Sequence, residues 1–372
     1  MKLTIERAAL LKSLAHVQSV VERRNTIPIL SNVLLEAGDG KLSLTATDMD
    51  LTIVDEVEAA VGEPGATTAP AHTFYDIVRK LPDGAQVEVT AGGEASQMTL
   101  KAGRSTFTLA TLPKEDFPAG GDSELPQAFA VQAGELRNLV DRTRFAISTE
   151  ETRYYLNGIY VHATESDGVA VLRAVATDGH RLARFEMPLP EGAAEMPGVI
   201  VPRKTVGELR KLIDERDEAI EIALSDTKVR FAFGPTVLTS KLIDGTFPDY
   251  ERVIPSSNDK MLQVDCKAFA QAVDRVSTIS TEKSRAVKMA LNGTAMTLSA
   301  TSPENGSAVE EIEVDYGGDA IEIGFNSRYL LDIAMQIEGD SAVFAMADAA
   351  SPTIVQDVKD ASALYVLMPM RV

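Results

Sequence analysis

One strand pattern occurs three times in this chain. The segments LSLTATD, VLRAVATD and MTLSATS each alternate apolar with polar residues and end in Ala-Thr followed by a small polar residue. Their shared threonines, Thr47, Thr177 and Thr301, lie 130 and 124 residues apart, and one third of the 372-residue chain is 124. Self-similarity at a regular interval indicates that one structural unit is repeated. The sequence therefore predicts three similar domains.

Each copy also contains two stretches whose apolar residues recur at helical spacing, among short alternating segments that are typical of strands. We predict helices over residues 8–21, 71–81, 134–145, 203–213, 265–276 and 326–337. Many strands with two helices describe an α+β domain with antiparallel sheet. Stretches containing Pro and Ser near 119–127 and 255–260 are the natural linkers. The predicted domains are therefore residues 1–126, 127–255 and 256–372.

The distribution of charge bears on the kind of partner. A formal net charge of −19 argues at first against nucleic acid, because phosphate binding needs clustered cations. The six helical segments, however, hold 13 Lys or Arg and 7 Asp or Glu, a net charge of +6, so the rest of the chain carries −25. If the helices share one face, that face is basic and binds phosphates without reading bases. The alternative is that these cations only occupy the solvated sides of amphipathic helices.

The cations on or at the ends of the predicted helices are Lys12, Arg79, Lys80, Arg137, Arg142, Lys204, Arg210, Lys211, Lys267, Arg275 and Arg328.

Several classes of site find little support in the sequence. The single cysteine, Cys266, cannot form an internal disulfide and is expected to be a small core residue. The four histidines lack metal-ligand spacing, and no GxxxxGK[ST] loop is present. No catalytic residue, metal or cofactor is therefore predicted. Glu6 and Arg7 interrupt any apolar leader, and no apolar run is long enough to span a membrane, so we expect a cytoplasmic protein.

Long ordered motifs connect the chain to one family. The segments RYYLNG, ATDGHRLA, VPRK, SKLIDGTFPDYERV and YVLMPMRV resemble the β subunit of bacterial DNA polymerase III, the β sliding clamp. The resemblance runs from MKLTIER to the last residue. It implies the DNA clamp fold, in which three-domain subunits join head to tail into a dimeric ring whose helices line the hole. The implied function is that of a non-catalytic processivity factor.

The resemblance also implies partners. These are a second copy of the chain, duplex DNA of any sequence, the polymerase III alpha subunit, the clamp loader, and other polymerases and repair proteins, all in the nucleoid-associated cytoplasm. The family binds its protein partners through a short apolar peptide, often of Gln-Leu-x-Leu-Phe type, in a groove beside the C-terminus. The matching positions here are Leu156, Thr177, Gly179, His180, Arg181, Leu182, Pro248, Arg252, Val253, Val366, Met368, Pro369, Met370 and Arg371.

Two further sets of residues follow from the same resemblance. The expected DNA contacts are Arg24, Arg79, Lys80, Arg137, Arg153, Tyr154, Tyr155, Lys204, Arg210 and Lys211. Arg pairs with phosphate, and Tyr stacks on or hydrogen-bonds to an exposed strand. The expected dimer interface places Phe107 and Leu109 of the first domain against Ile279 in the third domain of the second copy.

Two rival interpretations remain open at this point. An enzyme would use Asp178 and His180, because a carboxylate and an imidazole can form an acid–base pair. A generic repeat scaffold would bind proteins but not DNA, and the charge of −19 would suit it. A closed ring differs from a scaffold because, once loaded, it leaves DNA only through an end.

Overall fold

The computed structural model describes residues 1–92, 96–121, 123–281, 283 and 285–372. Up to residue 126 the elements are β1 (Lys2–Glu6), α1 (Arg7–Gln18), β2 (Asn32–Gly38), β3 (Lys41–Thr47), β4 (Leu51–Glu58), β5 (Ala60–Glu63), β6 (Gly65–Pro70), α2 (Ala71–Lys80), β7 (Gln86–Ala91), β8 (Gln97–Ala102) and β9 (Ser105–Ala110).

Between residues 127 and 255 the same pattern recurs. Its elements are β10 (Gln127–Gln132), α3 (Ala133–Asp141), β11 (Gly158–Ser166), β12 (Val169–Thr177), β13 (Arg181–Pro188), β14 (Val199–Pro202), α4 (Arg203–Ile213), β15 (Ala219–Leu224), β16 (Lys228–Phe233) and β17 (Thr236–Lys241).

The last part of the chain contains the third copy. Its elements are β18 (Lys260–Asp265), α5 (Cys266–Ser277), β19 (Ala286–Asn292), β20 (Ala295–Ser302), β21 (Gly306–Glu313), β22 (Asp315–Tyr316), β23 (Ile321–Asn326), α6 (Ser327–Ala334), β24 (Ser341–Met346), β25 (Thr353–Asp357) and β26 (Ala363–Leu367). The predicted α+β class, with two helices per repeat, is confirmed. The boundaries at 126 and 255 remain a prediction.

Three predicted helices extend too far. The segments 8–21, 134–145 and 326–337 end in the structure at Gln18, Asp141 and Ala334. Val20 and Val21 follow α1 in a turn but are buried, so apolar spacing continues past the last helical residue. An N-cap side chain marks the start of one helix in each of two repeats. The Glu6 carboxylate caps α1, and the Asp265 carboxylate caps α5.

The chain forms two compact units. The first contains residues 1–134, 191–196 and 204–242, and the second contains residues 135–190, 197–203 and 243–372. The first unit holds a five-stranded sheet, β5-β1-β7-β8-β9, and an eight-stranded sheet, β10-β15-β16-β17-β4-β3-β2-β6. The second unit holds a nine-stranded sheet, β14-β11-β12-β13-β26-β25-β24-β18-β22, and a four-stranded sheet, β21-β20-β19-β23.

The two large sheets join neighbouring repeats in the same way. In the first unit β17 pairs antiparallel with β4, and Leu238 lies opposite Ile53. In the second unit the equivalent strand β26 pairs with β13, and Leu182 lies opposite Val366. The equivalent strands of the two smaller sheets are β9 and β21. Each is an edge strand with no second strand partner among the residues that the structure describes.

Each unit has an apolar core formed by the inward faces of strands and helices. Phe74 on α2 is fully buried in the first unit, and Phe269 and Phe325 are buried in the second. The expected core position of Cys266 is confirmed, because it is a free and buried thiol at the start of α5. No helix among the described residues is long and apolar enough to cross a membrane.

A buried polar cluster in the first unit ties α1 to the strands and to the residues after α4. Asp55 accepts hydrogen bonds from Ser13 at 2.6 Å and from Thr236 at 2.7 Å. The His16 ring lies between two carboxylates, with Nδ1 2.9 Å from Asp55 and Nε2 3.0 Å from Glu215. Burial disfavours the charged imidazole, but these two carboxylates outweigh it and raise the pKa of His16. Burial also opposes ionisation of Asp55, yet its hydrogen bonds lower the pKa of that carboxyl.

This cluster predicts a pH-dependent contribution to stability. Because its folded-state pKa is raised, protonated His16 stabilises the fold fully below its unfolded pKa of about 6.5, and the contribution is lost as pH rises through the folded value. Replacement of His16 by Gln should lower the free energy of unfolding by about 1–3 kcal/mol in mildly acidic solution, and the deficit should shrink at alkaline pH. Urea unfolding of both proteins across this range measures the difference. The exposed His180→Gln variant is the control, and a deficit independent of pH would contradict the assignment.

Candidate functional site

An apolar cluster in the second unit lies where β13 and β26 pair. Its buried members are Leu156, Val175, Leu182, Ile200, Phe247, Tyr250, Leu364 and Val366, and the half-buried Tyr155, Tyr160, Ile243, Ile254 and Ile354 pack against them. Three of the predicted groove residues, Leu156, Leu182 and Val366, therefore come together in one cluster. Strand pairing positions two of them, because Leu182 and Val366 are direct cross-strand neighbours.

Aromatic rings form one side of this cluster. The rings of Phe247 and Tyr160 stack with centroids 4.9 Å apart, and Tyr250 meets both rings at a steep angle. Offset and edge contacts of this kind hold the rings in fixed positions. Phe247 begins the Phe-Pro dipeptide that the repeat shares with Phe117, so the sequence motif supplies a wall of the cluster.

A buried arginine behind the aromatic wall was missed by sequence reasoning. Arg173 donates to Glu186 at 2.8 Å, to the Tyr250 hydroxyl at 2.9 Å and to Glu251 at 2.6 Å. The pKa of Arg173 is raised because these partners outweigh its burial. Its signal in the sequence is a cation inside the apolar run Val171-Leu172-Arg173-Ala174. A charge at such a position indicates a buried ion pair that fixes neighbouring side chains, here Tyr250.

Two exposed apolar side chains adjoin residues of the cluster along the chain. Val253, which is 50% exposed, precedes Ile254, and Met368, which is 42% exposed, follows the strand that carries Val366. Met368 is held beside the loop after β12, because its backbone N–H donates to the carbonyl of His180 at 3.0 Å. The His180 ring is exposed at the same edge. A buried apolar floor and an exposed apolar rim together suit the binding of an apolar peptide. We refer to this surface as the groove.

The turn between β12 and β13 shapes one end of the groove. The Thr177 hydroxyl donates to the carbonyl of Arg181 at 2.7 Å, and Gly179 adopts a φ of +88°. This left-handed conformation favours glycine, and a Cβ at Gly179 would lie 2.6 Å from Nη1 of Arg153, so the flexible end of that side chain would have to move. Asp178 accepts from the backbone N–H groups of His180 and Arg181, and this geometry gives no acid–base pair with the His180 ring.

The guanidinium of Arg181 makes several contacts within the protein. It donates to Asp178 at 3.2 Å, to Asp332 at 2.5 Å and to the carbonyl of Phe145 at 2.7 Å, and it lies 4.2 Å from the centre of the Tyr329 ring. Three of its five N–H donors are therefore engaged within the protein. Arg181 thus positions the turn, and its contact with a ligand stays a prediction.

The other predicted groove residues stay a prediction, and their surroundings are as follows. Pro248 is exposed, and Arg252 is exposed beside Asp249 at 2.8 Å. Pro369 is half-buried and Arg371 is exposed at the chain end. Met370 is anchored by its backbone N–H, which donates to the carbonyl of Gly324 at 2.7 Å.

The predicted DNA contacts divide between the two units. In the first unit Arg24 is exposed in the loop between α1 and β2, and Arg79 and Lys80 lie in the last turn of α2. Arg210 and Lys211 lie in the last turn of α4, where they pair with Asp214 and Glu208 respectively. With the observed helix bounds, the six helices still carry a net charge of +6.

Lys204 is not a free cation in this structure. Its ammonium lies 2.5 Å from Glu22 and 2.6 Å from Asp48, and it donates to the carbonyl of Val20. Burial opposes its charge, but the two carboxylates raise its pKa. A phosphate contact by Lys204 would require these ion pairs to open.

Four further residues of the second unit were expected on the DNA side. Arg153 is bound by Glu150 through two hydrogen bonds of 2.9 and 2.8 Å, and Arg137 is half-buried. Tyr154 is 53% exposed and available to a ligand. Tyr155 is half-buried and packs against the apolar cluster, and its contact with DNA stays a prediction.

Arg142 was expected among the basic helix residues, and this expectation is wrong. The residue is buried and pairs with Asp360 at 3.2 Å and with Glu338 at 3.4 Å. Because α3 ends at Asp141, Arg142 lies beyond the helix and its side chain is buried. It holds the C-terminal part of the second unit and cannot contact phosphate.

The place in the first unit that is equivalent to the groove is polar. Thr239 lies opposite Thr52 in the β17–β4 pair, where the groove has Val366 opposite Leu182. A cavity of about 720 Å³ there is lined by these threonines and by Phe117, Pro118 and Lys241, among others. Hydroxyls replace the aliphatic floor, so an apolar peptide would leave polar groups without partners. The repeat therefore provides the groove in apolar form only in the second unit.

No group of three or more His, Cys, Asp or Glu side chains among the described residues could hold a metal ion.

Comparison with known proteins gives matches along the whole chain. Models of the DNA polymerase III beta subunit match in three parts, the N-terminal domain over residues 1–120, the central domain over 130–249 and the C-terminal domain over 251–371. The beta sliding clamp of Caulobacter vibrioides is 59% identical over 372 residues, with 100% of both chains covered.

Two solved structures are similar throughout. A C. crescentus beta sliding clamp has a TM-score of 0.98 at 59% identity, covering 100% of this chain and 99% of that one. A sliding clamp from Bartonella birtlesii, solved bound to griselimycin, has a TM-score of 0.97 at 50% identity and covers 100% of both chains.

Proposed function

The chain belongs to the DNA polymerase III beta subunit family, the bacterial beta sliding clamps, and from this premise we propose how it performs that function. It is a DNA sliding clamp, a non-catalytic processivity factor that tethers polymerase to DNA. Two copies close head to tail around the duplex. The clamp loader opens this ring, and the polymerase III alpha subunit and other polymerases and repair proteins then occupy the groove.

The main support for a closed ring is that two sheet edges, β9 and β21, lack a second strand partner among the described residues. Strands equivalent to β9 and β21 pair with each other twice within the chain, as β17 with β4 and as β26 with β13. The remaining pair, β9 and β21, is not formed among the described residues of one chain, where each strand ends a different sheet. Edge strands with unpaired backbone groups favour association. A second copy offers β21 to β9 and β9 to β21, and this twofold exchange closes a ring.

The internal register supports the predicted interface residues. Phe107 lies opposite Leu100 on β8, as Leu238 lies opposite Phe231 on β16. Leu238 pairs with Ile53 in the β17–β4 ladder. On β21 the residue equivalent to Ile53 is Ala308, so the same register puts Phe107 opposite Ala308 of the second copy.

Exposed apolar residues lie at the same edge. Val309, next to Ala308 on β21, is 70% exposed. The carbonyl of Ile279 accepts a hydrogen bond from Asn305 in the turn before β21, so Ile279 lies beside this strand. These features support Phe107, Leu109 and Ile279 as interface residues.

The DNA contacts rest on charge and exposure. We propose that the six helices, which carry a net charge of +6 in a chain of −19, face the DNA together and attract phosphates without base contacts. We propose that Arg24, Arg79, Lys80, Arg137, Arg210 and Lys211 contribute to this attraction, that Arg153 and Tyr154 meet DNA near the groove, and that Lys204 joins only when its ion pairs open.

Replacement of Arg24 by Ala should lower loading of the protein onto DNA and leave the dimer intact. Arg24 is an exposed cation with no ion pair among the described residues, so one phosphate contact is lost. The slope of log affinity for DNA against log salt concentration should become less steep by about one, the contribution of a single phosphate contact. Arg230→Ala, which removes an exposed arginine from β16, is the matched control. Equal loading of wild type and Arg24→Ala would remove Arg24 from the interface.

Primer extension on a circular template tests the function as a whole. With polymerase and clamp loader present, the chain should lengthen products from one binding event by an order of magnitude or more. A protein scaffold that does not encircle DNA would leave product length unchanged.

A further inference from the structure

A cationic cavity adjoins the groove in the second unit. It has a volume of about 610 Å³ and shares His180 and Met370 with the groove. Its cationic lining consists of Arg144, Arg181, Arg203, Lys283, Arg285 and Arg328. Only two carboxylates, Glu150 and Asp178, line it among the described residues. We refer to it as the cationic pocket.

Four of these six cations have no partner of opposite charge among the described residues. Arg181 is bound by Asp178 and Asp332, and Arg144 lies 3.6 Å from Asp141. In the part of the chain that the structure describes, no carboxylate lies within ion-pair distance of the other four, which are Arg203, Lys283, Arg285 and Arg328.

The two carboxylates of the lining do not balance this charge. Glu150 is held by Arg153 through two hydrogen bonds, and Asp178 accepts from two backbone N–H groups and from Arg181. The cationic pocket therefore has a surplus of positive charge in a chain whose net charge is −19. Several cations that face one concave space favour a ligand with more than one negative charge.

The position of the cationic pocket indicates which anion it takes. Its lining is continuous with the groove through His180 and Met370, and Met368 beside them is hydrogen-bonded to His180. An extended peptide spans about 3.3 Å per residue, and because the two surfaces share His180 and Met370, residues that flank apolar anchors in the groove would enter the cationic pocket. We propose that the cationic pocket is a second docking site for partner peptides and binds two or more acidic residues that flank their apolar anchors. This inference rests on the proposed peptide-binding role of the groove.

Two synthetic peptides test this inference by fluorescence anisotropy. Both carry the same Gln-Leu-x-Leu-Phe anchor, and one has two flanking Glu where the other has two Gln. The acidic peptide should bind the full-length protein on the order of 10-fold more tightly at low salt, and this advantage should shrink as salt screens the charges. The double variant Arg285→Gln, Arg328→Gln should abolish the advantage, because both side chains line the cationic pocket. Lys359→Gln, an exposed lysine outside the lining, is the matched control and should retain it.

Each result is decisive. Equal binding of the two peptides to wild type would overturn the cationic pocket as a docking site while leaving the groove intact. An acidic advantage that survives in the double variant, with DNA binding of that variant reduced instead, would assign the cationic pocket to DNA phosphates and overturn the proposal. Failure of both peptides to bind wild type would overturn the role of the groove, and this inference with it.

Discussion

Removal of the last five residues, Met368 to Val372, is expected to weaken binding of a partner peptide by about 2 kcal/mol or more, which is roughly a 30-fold loss of affinity. This segment supplies the exposed thioether of Met368 at the mouth of the groove and the backbone bridge from Met370 to Gly324. Methionine side chains adapt to ligands of different shape, so their loss affects related peptides alike. Peptide titration of both proteins measures the loss.

A single substitution separates the groove from general effects of truncation. Met368→Ala removes one exposed thioether and should account for about 1 kcal/mol or more of the loss. Met335→Ala is the matched control, because Met335 is 78% exposed just beyond α6 and is not part of the groove. The truncated protein should keep its thermal unfolding temperature within a few degrees, since β26 ends at Leu367. Unchanged peptide affinity in both altered proteins would reject the groove assignment.

Phe107→Asp is expected to raise the dissociation constant of the dimer about 100-fold or more. The substitution puts a carboxylate on the unpaired edge of β9, where the proposed interface would bury it without a partner. Sedimentation of the variant should show monomer at concentrations where wild type is a dimer. Retention on DNA should be lost with it, because a monomer cannot close a ring.

Thr108→Asp gives the matched control on the same strand. Thr108 is exposed on the opposite side of β9 from Phe107 and Leu109, so its carboxylate stays in water. It should sediment as a dimer. A Phe107→Asp protein that remains dimeric would place the interface elsewhere.

The repeat and the α+β class could be predicted from sequence because each leaves a local pattern, whereas the groove floor followed from the family resemblance. Alternating strands ending at Thr47 and Thr177 mark equivalent positions, and the Phe-Pro dipeptide at Phe247 marks the wall of the groove. Leu182 and Val366 are far apart in the chain, and it was the family resemblance that linked them.

The partners of charged side chains could not be predicted in this way. Arg142 follows the last turn of α3 and pairs with residues about 200 positions away, so no local spacing distinguishes it from a solvated helix cation. The ion pairs of Lys204 and Arg181 are equally non-local. The buried Arg173 did leave a signal, a charge within an apolar strand.

Retention on circular DNA tests the central claim most directly. The wild-type protein, loaded onto a closed circle and washed in high salt, should stay bound, and it should be released when a single cut linearises the circle. High salt removes phosphate contacts but cannot free a closed ring from DNA without ends. Release from the circle at the same rate as from linear DNA would contradict the account, because the protein would then be held by charge alone.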